Sequence, residues 1–225
     1  MKNKVNSIHN LEKGKNKRKI VIILIIISII GLICFFIKNA YKNQNLGNNM
    51  SNKNIEEIEE YILNISSYRA KIEVTIESNK NTNKYVMEQI YQKGNISKQI
   101  ILEPSNIEGM EIIYENGNIK INHSKLNLSS IYENYAYIAD NFLWLDAFIE
   151  DYKENKNGKE ATISEENETI IMETKTRNEN NRYVSHKKLY IDKKTGKPTK
   201  LFVQDINKNN LVYILYNEIT VNGLQ

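Results

Sequence analysis

The 225 residues contain one cysteine, two prolines, one tryptophan and three histidines. A lone cysteine, Cys34, has no partner for an intrachain disulfide, so none holds the fold. The histidines His9, His123 and His186 lie far apart, and no His, Cys, Asp or Glu cluster has the spacing of metal ligands. No glycine-rich phosphate loop and no serine elbow is present. These gaps leave no catalytic constellation. The expectation is a protein that is not an enzyme and needs no cofactor or metal.

Charge is also missing where it matters most. Ile20 to Ile37, IVIILIIISIIGLICFFI, is an uncharged run of eighteen residues between Lys19 and Lys38. As a helix it extends about 27 Å, close to the roughly 30 Å hydrocarbon thickness of a bilayer. Residues 1–38 hold eight cations and one acid, which leaves 23 cations and 26 acids, net −3, for residues 39–225. The excess of Lys and Arg before the run places the N-terminus in the cytoplasm and the rest outside. The basic tail also suits anionic lipid at the inner leaflet. The overall +4 is therefore a topology signal rather than a sign of nucleic-acid binding.

A secretory signal is the rival reading. Its apolar region is shorter, about 7–15 residues, and ends in small residues. Here Phe35, Phe36 and Ile37 fill the end of the run. Ile33 precedes Cys34 where lipidation needs a small residue, so packing as a small apolar side chain is favoured over lipidation of Cys34. The expected organisation is a basic cytoplasmic tail (1–19), a transmembrane helix (20–37), a flexible tether (38–53) and one extracytoplasmic domain (54–222) at the cell membrane.

The domain opens with a helix. Asn54 is its cap, Glu56 and Glu57 suit its N-terminal end, and Ile55, Ile58, Ile62 and Ile65 recur on one face. The helix is expected to end near Ser66-Ser67. The period then changes to two, with Tyr68, Ala70, Ile72, Val74 and Ile76 alternating with polar residues. Further strands are predicted through Tyr85–Tyr91, Ser97–Leu102, Met110–Tyr114 and Asn118–Asn122. Glu115-Asn116-Gly117 is the hairpin signal between the last two.

Ser129 to Asn155 has no Gly or Pro and predicts one or two helices, with Asp140 a cap between them. Strands return at Ala161–Ser164, Thr169–Lys175, Tyr183–Ile191, Pro198–Gln204 and Leu211–Val221. The expected fold is α+β: a curved antiparallel sheet, a half-open barrel, covered by helices.

Aromatic residues concentrate in Tyr132–Tyr152. Tyr132, Tyr135, Phe142, Trp144 and Phe148 are the candidate lid or interface residues. One reading makes the stretch a lid over an apolar cavity that holds a lipid. The favoured reading puts Phe142, Leu145, Phe148 and Ile149 in a helix-to-sheet core. Some of Tyr132, Tyr135 and Tyr137 then face outward to a protein, because buried Tyr hydroxyls need partners.

The order of segments resembles the lipoprotein-carrier (LolA/LolB-like) domains. The carrying motifs begin with a helix followed by Tyr68-Arg69-Ala70-Lys71-Ile72-Glu73-Val74. Next come Ile100-Ile101-Leu102-Glu103-Pro104 and the hairpin Tyr114-Glu115-Asn116-Gly117-Asn118-Ile119. Late in the chain stand Leu189 to Pro198, with its Asp–turn–Gly–Pro pattern, and Tyr216 to Asn222. Within such domains the Asn- and Lys-rich composition is similar to GerS and its relatives, germination lipoproteins of clostridial spores. That resemblance implies a non-catalytic partner of a cell-wall amidase that modifies cortex peptidoglycan. This chain departs from it at Cys34, where a transmembrane helix replaces the lipid anchor. The alternatives are a lipid or lipoprotein carrier and an envelope-stress sensor.

Overall fold

Eleven antiparallel strands and two helices make up the domain in the computed structural model, which describes residues 52–222 apart from 79, 95, 116, 134–142, 159 and 178–180. The described residues fall within one unit, Leu46–Gln225. The basic tail, the apolar run with Cys34, most of the tether, and Tyr135, Tyr137, Asp140 and Phe142 lie outside the described residues. Among those described, no helix is long and apolar enough to cross a membrane.

Helix α1 spans Ile55–Leu63. The extended Asn54 accepts the Glu57 amide on its side-chain oxygen at 2.8 Å, which satisfies one of the orphan N–H groups of the first turn. Asn64 ends the helix by donating its side-chain amide to the Glu60 carbonyl at 2.9 Å. The apolar stripe buries Ile58, Tyr61 and Ile62.

Strands β1 (Ser67–Glu77), β2 (Thr82–Gln92), β3 (Ile96–Glu103), β4 (Met110–Glu115), β5 (Asn118–His123) and β6 (Leu128–Tyr132) form one meander. A second contains β7 (Ala161–Glu166), β8 (Thr169–Lys175), β9 (His186–Asp192), β10 (Lys197–Gln204) and β11 (Asn210–Val221). Pairing of β1 with β11 joins them into one open sheet, ordered β6-β5-β4-β3-β2-β1-β11-β10-β9-β8-β7. The chain leaves the sheet at one edge and re-enters at the other. The link between β6 and β7 carries helix α2, Leu145–Lys156, which packs on β8, β7 and α1.

The period-two pattern of β1 sorts as expected: Tyr68, Ala70, Ile72 and Val74 are fully or almost fully buried. Ile214, Leu201, Leu189 and Ile170 continue that core along β11, β10, β9 and β8. Phe148 and Leu145 of α2 complete it. Each fully buried side chain of this size contributes about 1.5–3 kcal/mol. On the outer face Tyr190, Phe202 and Tyr213 form an aromatic ladder with centroids 5.2 Å apart at each step.

Turn chemistry explains the strand ends. Asn167 and Glu168 both have positive φ, 47° and 60°, which is the two-residue geometry whose twist matches a hairpin. Asp192 accepts the Thr195 amide at 2.7 Å in the turn that Gly196 closes at φ 67°.

One expectation is corrected. Leu128–Tyr132 is a strand, not the start of a helix. Asn127 turns the chain at φ 50°, and Ser130 then stands opposite Ile121 in the ladder with β5. Lack of Gly and Pro permits a helix, but the free edge of β5 offers this short segment a full set of backbone partners. Helix α2 begins at Leu145, and Trp144 is its N-cap residue without a side-chain cap. Tyr68 of β1 supplies the missing acceptor: the Leu145 amide donates to its hydroxyl at 3.3 Å.

Candidate functional site: a polar cleft beside the second helix

Cross-strand register builds the floor of a cleft. Tyr91 of β2 stands opposite Ser97 of β3, and Ser97 stands opposite Tyr114 of β4. All three face the inner side of the sheet in one row. Gln92, Lys93 and Gly94 at the β2–β3 turn and Gly117 at the β4–β5 turn form one lip. Gly94 and Gly117 have φ of 74° and 78°, the left-handed region that both turns require. Across from them stand Asp146 and Glu150, one turn apart on α2, and Arg177 just after β8. The volume of this open cleft is about 480 Å³. None of the ten lining residues is aliphatic.

A buried ionic group holds one wall in place. Asp151 of α2 meets Lys187 of β9 at 2.7 Å, with both side chains only 2% exposed. The same carboxylate meets the Arg177 Nε at 2.9 Å. Burial lowers the Lys187 pKa, and the Asp151 carboxylate works in the opposite direction. This pair is sealed from solvent and ties α2 to β9 of the sheet. The bond to Asp151 uses one of the five guanidinium donors of Arg177. A second tie joins the helices: Glu59 of α1 accepts the Tyr152 hydroxyl at 2.8 Å and meets Lys156 at 2.6 Å.

The floor is equally fixed. The Tyr91 ring stacks on Tyr68 at 5.3 Å, and Tyr68 lies 6.4 Å from Trp144. Burial, and then the charges of Asp146 and Glu150, hold the Tyr91 phenol well above its ordinary range. It is a neutral hydroxyl at every physiological pH. In the next row along the sheet, Gln89 donates to Gln99 at 3.3 Å and to the Leu143 carbonyl at 3.2 Å, which pins the chain just before α2.

The sequence candidates divide. Trp144 and Phe148 are buried, at 5% and 0% exposure, and Phe148 packs on Tyr152 at 5.9 Å. With Leu145 and Ile149 they form the helix-to-sheet core. Tyr132 is 51% exposed on the edge strand β6. The structure therefore does not gather Tyr132, Trp144 and Phe148 on one lid face. His123 and His186 sit on different strands, β5 and β9, and neither lines the cleft. Among the described residues no group of three or more His, Cys, Asp or Glu is placed to hold a metal ion.

Asp146, Glu150, Arg177 and Lys187 were not legible as a site. Two faint signals existed. The strand parity that buries Leu189 and Ile191 also sends Lys187 inward, which demands a buried acid. Asp146 and Glu150 share one face at i, i+4 spacing.

Fold and cleft define the class: an open-sheet α+β module with a polar cleft beside its second helix. The chain belongs to the family of sporulation proteins described as YdcC-like, whose family model matches residues 17–223. No curated protein matches it. Among solved structures, it is similar to a chain in the complex of the CwlD amidase with the GerS lipoprotein from Clostridioides difficile. That match is 22% identical, covers 76% of this chain and 92% of that one, and has a TM-score of 0.42. An uncharacterized conserved protein from Thermus thermophilus is 10% identical over 76% of this chain and 88% of its own, with a TM-score of 0.47. A LolA superfamily protein from Nitrosomonas europaea is 9% identical over 76% and 94%, with a TM-score of 0.37. Similarity at this level leaves the activity to be argued from the chain itself.

Proposed function

We propose that this protein is a membrane-anchored, non-catalytic binding protein of the cell envelope, acting in sporulation or germination by holding a protein partner. The observation that carries the reading is the outer edge of the first meander. Leu126, Leu128, Ile131 and Tyr132 are all more than half exposed there. Edge strand β6, Leu-Ser-Ser-Ile-Tyr, has no charge and no proline, the usual guards against pairing with another chain. Apolar side chains grouped at an edge suit a protein interface.

Membership in a sporulation family supports the process. The uncharged run Ile20–Ile37 and its basic flank support the anchor and the extracytoplasmic placement of the domain. The sequence resemblance to GerS relatives supports a cell-wall amidase as the partner. A lipid carrier needs an apolar cavity, and among the described residues the cleft beside α2 is lined by no aliphatic residue. The test is capture by the full-length chain from sporulating cells, read by mass spectrometry. Recovery of a cell-wall amidase is expected; recovery of the bait with no cell-wall enzyme contradicts the partner.

A further inference from the structure

We infer that the cleft between α2 and the β2–β5 end of the sheet binds a neutral, hydroxylated ligand of the oligosaccharide class. This goes beyond the partner-holding role and does not depend on it. The cleft's volume of about 480 Å³ lies within the roughly 300–1,000 Å³ of ligand pockets.

Its charges choose the ligand. Asp146, Glu150 and Arg177 line the α2 side of the space and Lys93 the opposite lip, with Arg177 also paired to Asp151 at 2.9 Å and Glu154 at 3.7 Å. A cation entering meets Arg177 and Lys93. An anion meets Asp146 and Glu150. An acyl chain finds no aliphatic residue, only tyrosine rings and the short stems of Lys93 and Arg177. A sugar hydroxyl both donates and accepts, so a polyol uses both signs at once: it donates to the carboxylates and accepts from the guanidinium and ammonium groups.

The rest of the wall matches. Tyr91 and Tyr114 flank Ser97 on the floor, and the C–H face of a sugar ring packs on aromatic carbon. The charged groups are also held ready. Arg177 is fixed through Asp151 to the buried Lys187, and Asp146 and Glu150 ride on a helix bonded to the sheet through Tyr68. A polar site assembled before its ligand arrives avoids much of the ordering cost of binding.

The test uses the full-length chain in a detergent without a sugar headgroup. N-acetylglucosamine tetramer and cellotetraose are titrated into it by isothermal titration calorimetry, because Trp144, the only tryptophan, is buried and does not line the cleft. A saturable heat of binding with at least one of them is expected. Glu150→Gln and Lys93→Gln alter exposed side chains, so they keep the fold by circular dichroism, and each weakens the sugar at least tenfold. Two results overturn the inference: no saturable response to either sugar, or a response to an oligolysine peptide or polyphosphate that the same substitutions remove while sugar has no effect. Neither result bears on capture of a protein partner.

Discussion

The two wings of the sheet are built from similar strands and end up unlike. From β1 through β11 to β8, alternate residues are sealed under α1 and α2, and the inner face includes Ile72, Ile214, Leu201, Leu189 and Ile170, all at 0% exposure. From β3 to β6 burial fades. In β4 no residue is fully buried, and β6 is exposed along its whole length. The difference arises from where the connection lands. Helix α2 returns the chain to β7 and packs on β8, so it covers the second meander and leaves its polar side toward β2–β5. One wing therefore holds the fold together, while the other leaves an apolar edge exposed and shares a cleft with the helix.

That division ranks the effects of substitution. The largest belongs to the buried ionic group. Asp151→Ala strands the Lys187 ammonium inside the core, and removing one partner of such a pair costs about 3–5 kcal/mol. The midpoint of urea unfolding for the purified chain measures it. Phe148→Ala, in the same wing, is expected to cost a comparable ~3–5 kcal/mol through the cavity it leaves.

Next comes alkaline pH. Burial pushes the Tyr61 phenol up to about 12 and raises Tyr91, Tyr152 and Tyr216 as well. A folded-state pKa above the unfolded value near 10 means the native state keeps its proton more tightly. The stabilisation is complete below pH 10 and is lost as pH rises toward the folded values. For Tyr61 it amounts to at most about 3 kcal/mol. Lys187 is lowered instead, so its contribution rises with pH toward 10.5, but one lysine opposes four tyrosines. Urea midpoints at pH 9, 10 and 11 are expected to fall, and Tyr61→Phe is expected to flatten part of the fall.

A smaller effect is the cap. Asn54→Ala removes the acceptor for the Glu57 amide and costs about 1 kcal/mol, seen as a lower Tm. The smallest is at the open edge. Ile131→Lys adds a charge to an exposed side chain and changes stability by no more than about 0.5 kcal/mol.

The covered wing was largely readable in the chain. Tyr68 to Val74 alternate so regularly that the strand and its buried face follow directly, and Asn54 marks the helix start. Asn116-Gly117 marks a hairpin, which the pairing of Glu115 with Asn118 bears out. The open wing was harder. Residues Leu128–Tyr132 are a strand only because β5 offers an edge, and nothing local announces that. The cleft was harder still. Tyr91, Ser97 and Tyr114 meet through two successive registers, while Asp146 and Glu150 arrive through the edge-to-edge link and Arg177 through the β8–β9 connection. Such a site is a product of topology. Residue spacing shows its separate pieces without showing that they share a space.

The central claim is that one wing carries stability and the other recognition. Its most direct test is the full-length Ile131→Lys variant, measured for both its urea midpoint and its capture of a cell-wall amidase from sporulating cells. The account predicts an unfolding midpoint equal to wild type and loss of the amidase from the captured proteins. A variant that keeps its fold and captures the amidase as well as wild type would contradict it.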